Sequence, residues 1–464
     1  MTTALPLVAG DLDTPLAWRA GRPLSRRRYL ADVEALAARL PAHGAPLNLT
    51  GDRYRFAVGL GAALVRGQTS LLPPNHTADT IERLRALFGN VYGLVDDAAA
   101  ADGLPSVAYA SAPAADAERI APRIDPHHIA AHVLTSGSTG APVPHAKPWG
   151  LLVENARAES TRLAESMGRG SLEGTALVAT VPAQHMYGFE SSVLVALLGG
   201  VAFDAERPFY PADIAAALAR LPRPRLLVTT PFHLKALLES KVALPPIDLT
   251  LCATAPLPPQ LAARAEAALA APLVEIYGCT EAGQVATRRT VAGPEWRVYD
   301  GLRLAGDGAS TTIAGGHVPQ PTRLADVLEV IDAERFRLLG RSNDLVNIAG
   351  KRSSIGHLDH HLQAIDGVVD GAFWMPPEPA AEAAIVRLVA FVVAPALSDA
   401  AILAALRARI DATFLPRPIV RLGALPRDPS GKLPTARLAA LAEQTMRRPL
   451  QARRDEANDR GPSP

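Results

Sequence analysis

Short, mostly apolar runs recur along this chain and alternate with stretches of helical spacing, and that alternation limits the folds open to it. Val91–Val95, Ile129–Leu134, Ala176–Val181, Leu226–Thr230 and Leu249–Thr254 each have the length of one strand and carry few charges. Runs like these belong to strands buried on both faces. Between them, Tyr29–Leu40 places Leu30, Val33, Leu36, Ala37 and Leu40 at helical spacing before Pro41 stops the pattern. Thr80–Phe88, Leu151–Leu163, Phe232–Leu238 and Leu261–Ala270 also read as helices, and Phe56–Val65 is a further apolar segment. Strands alternating with helices predict an α/β fold with a layered core.

The 464 residues exceed one ordinary domain. Leu324–Ile331 and Arg335–Leu339 have the pattern of a β hairpin, and Gly340-Arg341-Ser342-Asn343-Asp344 then interrupts it with polar residues. A domain boundary is placed there. Residues 1–340 form a large N-terminal domain of sheets and packed helices, and residues 341–446 a small α+β unit. In that unit Leu358–Ile365 and Ile402–Phe414 are expected as helices, and Gly371–Trp374, Leu388–Val393 and Ile419–Leu422 as strands. Pro426–Leu433 is a loop carrying Lys432, residues 447–464 have the composition of a disordered tail, and Ala98–Ala117 reads as a surface excursion.

Lys and Arg number 47 against 46 Asp and Glu, so no global field favours nucleic acid or an anionic membrane. A small ligand is expected. Two cysteines, Cys252 and Cys279, make no disulfide framework and have no CxxC spacing, which points to a reducing compartment. The N-terminus lacks a basic segment and meets Asp11 and Asp13 early, and no apolar run reaches bilayer length. The expectation is a cytoplasmic protein without a membrane span.

Three stretches carry chemistry. Thr135-Ser136-Gly137-Ser138-Thr139-Gly140 directly follows an apolar run. Glycines leave room for an anion, while hydroxyls and freed backbone N–H groups point at it, so this loop suits a phosphate. Gln184-His185-Met186-Tyr187-Gly188-Phe189-Glu190 sets a His and two aromatics at a strand exit, where open α/β sheets form pockets. Tyr277-Gly278-Cys279-Thr280-Glu281 joins an aromatic plate, a tight turn, a hydroxyl and a carboxylate, a set that can serve a nucleotide with Mg²⁺.

In order and spacing these stretches resemble the motifs of the adenylate-forming superfamily, which includes acyl-CoA and aryl-CoA synthetases, peptide-synthetase adenylation domains and luciferases. The resemblance covers most of the chain. It implies that Thr135–Gly140 clamps the β/γ phosphates of ATP, that Ala255, Pro256, Tyr277 and Gly278 contact the nucleotide, and that Glu281 holds Mg²⁺ beside Thr280. Asp326 stands where the family keeps an acid for the ribose hydroxyls, ahead of Arg341. His185, Tyr187, Gly188, Phe189 and Phe232 would line the acid pocket. Asn343 falls at the hinge of a mobile C-terminal lid, Gly350 in the segment brought to the thiol channel, and Lys432, in Pro429-Ser430-Gly431-Lys432, at the catalytic lysine. The implied reaction has two halves. A small carboxylic acid attacks the α-phosphate of ATP, giving an acyl-adenylate and pyrophosphate; a thiol then displaces AMP, from coenzyme A or from the phosphopantetheine of an acyl carrier protein.

The chain departs from the family pattern at three places. The phosphate loop commonly has a lysine soon after its last glycine, whereas here Ala141-Pro142-Val143 follows and Lys147 comes later. Either Lys147 reaches back or that charge is dispensed with. The hinge residue, usually Asp or Lys, is Asn343, and the portion before the phosphate loop is short. The compact set of aromatics favours an aryl acid over a fatty acid. Pro142-Val143-Pro144-His145-Ala146-Lys147 is also similar to ligases of aryl-polyene and xanthomonadin pigment clusters, which take hydroxybenzoates.

Other classes fit less well. Gly431-Lys432 is followed by Leu433 and so makes no Walker loop, and neither GxSxG nor GxGxxG occurs. His357, His360 and His361 read as a solvated polar face rather than a metal site. A non-catalytic nucleotide- or partner-binding protein on the same fold is the remaining rival.

Overall fold

The computed structural model describes residues 3–96, 103–109, 119–136, 142–306, 310–341, 345–348, 351–376, 387–427, 433–434 and 436–445. They form a mixed α/β structure with two compact units. One comprises Met1–Ala253, Leu261–Leu324 and Val330–Arg337, the other Thr254–Gln260, Ala325–Glu329 and Leu338–Pro464.

In the first unit six parallel strands form the middle of the larger sheet, in the order Leu273–Cys279, Leu249–Cys252, Arg225–Thr229, Ala176–Ala179, Ala202–Asp204 and Pro15–Arg19. Arg22–Ser25 closes one side antiparallel, and Gly283–Arg288 and Glu295–Val298 extend the other. The apolar runs supply the innermost positions. Leu177, Val178, Leu226, Val228, Leu249 and Leu251 have no exposed surface. Because these six strands are parallel, their carboxyl ends share one edge, which is where open α/β sheets bind ligands.

A second sheet has the order Pro142–Pro148, Ile129–Ser136, Ser70–Leu72, Ala45–Asn48, Val91–Val95 and Ser106–Ala108. Its first strand is one to which the sequence reading assigns no element. Pro142, Pro144 and Pro148 look like strand breakers, but this strand lies at the sheet edge, where a missing N–H leaves no ladder partner unsatisfied. Pro142 pairs with Ser136 and Lys147 with Ala131, so the strands flanking the glycine loop form a hairpin.

The second unit contains a three-stranded sheet with Val389–Val393 between Asp370–Trp374, antiparallel, and Ile419–Arg421, parallel. Leu358, Leu362, Phe373, Ile402 and Leu406 form its core with the helices Ile355–Gln363 and Asp399–Arg407. The second helix stops at Arg407, short of the expected Phe414. Asp411 accepts a hydrogen bond from the Thr413 N–H and caps a separate 3₁₀ turn over Ala412–Phe414. Leu425, Leu433 and Leu438 join an apolar cluster with Val389 and Phe391, so the ends of the loop bearing Lys432 are anchored on this unit.

Candidate active site

At the carboxyl edge of the parallel strands, the segments leaving the sheet carry the aromatic and hydroxyl groups singled out in the sequence. After Ala176–Ala179 the chain reaches His185, which directly precedes the short helix Met186–Gly188, and continues into a π-helical turn over Phe189–Leu194. Tyr187 is buried, and its hydroxyl lies 2.9 Å from the Leu251 carbonyl and 3.2 Å from that of Thr229. It therefore ties this segment to the next two strand ends. Gly188 presses on Pro182: a Cβ there would stand 2.0 Å from the Pro182 carbonyl oxygen. Phe189 has no exposed surface and packs edge-on against Phe56, so it belongs to the core beneath the segment. Arg53, fully buried, donates to Ser192 Oγ at 2.6 Å and to the Ala179 and Val181 carbonyls at 3.1 and 2.8 Å. Burial pushes its pKa down to about 10.

Two neighbouring strand exits contribute a group of rings. Phe232 is 47% and Phe209 40% exposed, and His233 is buried against both, with ring centroids 5.4 and 5.0 Å away. Thr230 Oγ1 caps the helix Pro231–Glu239 and lies 2.9 Å from His233 Nδ1. Burial, aided by the Arg207 charge, lowers the His233 pKa to about 4, so the ring is neutral at physiological pH. His233, Phe209 and Arg207 were not among the residues expected from the sequence.

Thr280 and Glu281 occupy the turn between the antiparallel strands Leu273–Cys279 and Gly283–Arg288. Tyr277, 8% exposed, is held by Trp296 and Phe336 at centroid distances of 5.8 and 5.3 Å. Burial pushes the Cys279 thiol up to about 12, away from the thiolate form. Glu281 is exposed, and a carboxylate held on a turn suits a hard divalent cation. Gly278 is required by packing: a Cβ would lie 2.4 Å from the Gly283 carbonyl oxygen and 2.8 Å from Gln284 Cα, both backbone atoms. Gly278→Ala is expected to cost about 1–3 kcal/mol of stability, read as a lower urea midpoint at unchanged slope.

Beneath this turn runs a polar ladder that the sequence reading missed. The helix Trp149–Ser166 directly follows the edge strand and presents Asn155, Glu159 and Arg162 on one buried face. Asn155 donates to Glu190 at 2.6 Å. In the amide orientation that satisfies both its ends, Gln284 donates to Glu159 at 3.2 Å and accepts from Ser191 at 2.7 Å. Arg162 donates to Thr287 Oγ1 at 2.8 Å and to the Val298 carbonyl at 2.9 Å. At the top Lys147, 7% exposed, donates to the Thr280 carbonyl and, at 3.4 Å, to that of Glu281. Asn155, Glu159 and Arg162 recur four and three positions apart, but the helix carries other polar residues as well, so this spacing alone does not single them out.

Thr135 and Ser136 end the first strand of the glycine-loop hairpin. Gly137, Ser138, Thr139 and Gly140 lie outside the described residues, as do Asn343, Gly350, Lys432 and the segment 446–464. Ala255 and Pro256 follow the strand Leu249–Cys252, Asp326 begins the strand Asp326–Val330, and Arg341 ends the strand Arg335–Arg341. No helix among the described residues is long and apolar enough to cross a membrane.

Comparison with known proteins agrees with this arrangement. The profile of the AMP-binding enzyme family matches residues 34–308. A 4-coumarate–CoA ligase from Rhodobacter capsulatus is 33% identical over 279 residues, covering 60% of this chain and 67% of that enzyme. A 4-coumarate–CoA ligase from Halorhodospira halophila is 32% identical over 279 residues, covering 57% and 63%. Among solved structures, ATP-bound MatB from Rhodopseudomonas palustris superposes with a TM-score of 0.74 at 18% identity over 94% of this chain and 96% of that one. The anthranilate CoA ligase AuaEII, in complex with anthranoyl-AMP, gives 0.76 at 14% identity over 96% and 99%. At these identities the structural matches speak for the fold.

Proposed function

Because the chain belongs to the AMP-binding enzyme family and is an ATP-dependent, AMP-forming acid–thiol ligase, we propose that its acid substrate is aromatic and hydroxybenzoate-like. The observation that carries the substrate class is the ring group Phe209, Phe232 and His233 at the carboxyl edge of the sheet. Flat, partly exposed rings offer an aryl group offset-stacked or edge-on contacts. Both sequence relatives are ligases named for an aromatic acid, which supports the same reading.

On this proposal the Thr135–Gly140 loop holds the β/γ phosphates, with Tyr277 and Gly278 at the adenine and Asp326 at the ribose. Tyr187 and Gly188 fix the segment bearing His185 beside the acid. Glu281 and Thr280 would hold a Mg²⁺, which when bound supplies positive charge to the phosphate oxygens. Lys432 adds a compact cation between the acid carboxylate and the ribose 5′ oxygen, where two anions meet. Thioester formation follows when the small domain turns about Asn343 and brings the Gly350 segment to the thiol, of coenzyme A or of a carrier-protein phosphopantetheine.

Acid-dependent pyrophosphate release, with hydroxylamine trapping the acyl-adenylate, tests this reading. Hydroxybenzoates are expected to give at least about tenfold higher kcat/KM than a long fatty acid, the discrimination a shaped pocket supplies. Preference for the fatty acid would overturn the substrate class. No hydroxamate from any acid would favour a binding protein on the same fold.

A further inference from the structure

The geometry points to Lys147 as a positioning residue that fixes the Thr280–Glu281 turn, rather than as a substitute for the lysine missing from the phosphate loop. Lys147 pairs with Ala131, whereas the hairpin tip begins at the Pro142–Ser136 pair. Those pairs are five residues apart on the strand, or about 16 Å at the rise of a β-strand. A lysine side chain does not bridge that distance, and this one is already committed: its ammonium donates to the Thr280 and Glu281 carbonyls.

The surroundings fit a buried cation holding a turn. Glu190, buried and bonded to Asn155, provides a carboxyl near the ammonium, and the Glu281 carboxylate lies on the turn itself. Gly283, at φ +77°, closes the turn directly above this pair, since a Cβ there would stand 2.8 Å from Asn155 Nδ2 and 2.9 Å from Glu190 Oε1. The turn therefore has Lys147 on the carbonyls of Thr280 and Glu281 and the Asn155–Glu190 pair against Gly283. An ammonium so far out of water is retained only where charge-assisted hydrogen bonds offset its desolvation. Removing it leaves two carbonyls without that donor and frees the turn to move.

The role in catalysis rests on the reading that Thr280 and Glu281 face the nucleotide; the structural part stands without it. Two measurements on Lys147→Met separate them. Amide hydrogen exchange in the ligand-free protein is expected to be about ten- to hundredfold faster in a peptide spanning residues 278–284 and unchanged in strand Leu249–Cys252, the size of a lost hydrogen bond to a charged group. Calorimetric titration is expected to show AMP and ATP affinities falling together, because the turn serves the part of the ligand they share. A loss confined to ATP, with exchange unchanged, would make Lys147 a phosphate contact and overturn the inference. Faster exchange with both affinities intact would leave Lys147 holding the turn but overturn its role in positioning it for the nucleotide. Should Lys147→Met fail to fold, Lys147→Gln keeps an amide donor without the charge or reach and is read against the same outcomes. Failure of wild-type protein to form any hydroxamate would sink the proposed function while leaving the exchange result to stand.

Discussion

Lys432→Ala is expected to slow acid-dependent ATP–pyrophosphate exchange by about 10²- to 10³-fold, the loss that follows removal of one well-placed charge from a transition state. The reason is electrostatic. A carboxylate must approach a phosphate ester, so negative charge accumulates between the acid oxygen and the α-phosphate as the bond forms. Interactions that grow in the transition state raise kcat, and their removal lowers kcat with little change in KM. The KM for ATP should therefore move far less than kcat. Lys432→Arg should recover little, because a planar guanidinium does not reproduce a compact point charge between two oxygens.

The loop bearing this lysine has a firm base. Arg427 pairs with Asp370 through two hydrogen bonds of 2.8 and 2.7 Å, and Leu425 and Leu433 pack in one apolar cluster on either side of residues 428–432. The substitution should therefore leave the small unit folded. Thioester formation from chemically supplied acyl-AMP is expected to survive in Lys432→Ala within about threefold, since that half-reaction needs no adenylation charge. Equal loss of both half-reactions would contradict a lysine used in one of them, and with it the proposed exchange of roles between Lys432 and the Gly350 segment.

How much of this was legible in the sequence depends on what each residue had to reveal. Val91–Val95 has identical bounds in sequence and structure, because an apolar run closed by turn residues has few other solutions. The places of Gln184–Glu190 and of Thr280–Glu281, after the strands Ala176–Ala179 and Leu273–Cys279, were legible because polar and aromatic residues directly after an apolar run mark a strand exit. Pro142–Pro148 was not, since a proline signals a break unless its place at a sheet edge is known. The ladder Asn155, Glu159 and Arg162 stayed hidden because a polar residue on a helix ordinarily faces water, and only the partner strand Gly283–Arg288 shows that these do not. Phe189 misleads in the opposite way: its place in an aromatic motif suggests a pocket wall, yet the π-helical turn directs it against Phe56.

The ladder also carries a cost that depends on pH, and Glu159→Gln is expected to remove it. Glu159 has no exposed surface, and burial, with the Glu190 charge adding to it, raises its pKa from 4.5 to about 8, against smaller lowering by Ser191 and Gln284. Glu190 is raised to about 7 by burial, held back by Lys147. For a carboxyl raised in the folded state, the unfolded chain ionises first. Stability is complete below 4.5, falls between that value and the folded pKa at up to about 1.4 kcal/mol per pH unit, and is lowest above it. The buried group is thus best tolerated as the neutral acid. Glutamine keeps that shape and adds no charge. Urea unfolding is expected to show Glu159→Gln within about 1 kcal/mol of wild type near pH 5 and about 2–4 kcal/mol more stable near pH 8. Because Glu190 titrates in the same range and direction, some pH dependence should remain in the variant and diminish further in Glu159→Gln/Glu190→Gln. A gain of equal size at both pH values would show that Glu159 is not titrating. A loss near pH 8 would show that the ionised carboxylate is doing structural work beneath the turn, so that the ladder from Lys147 to Arg162 would have to be read as a charged network rather than one held together by a shared neutral acid.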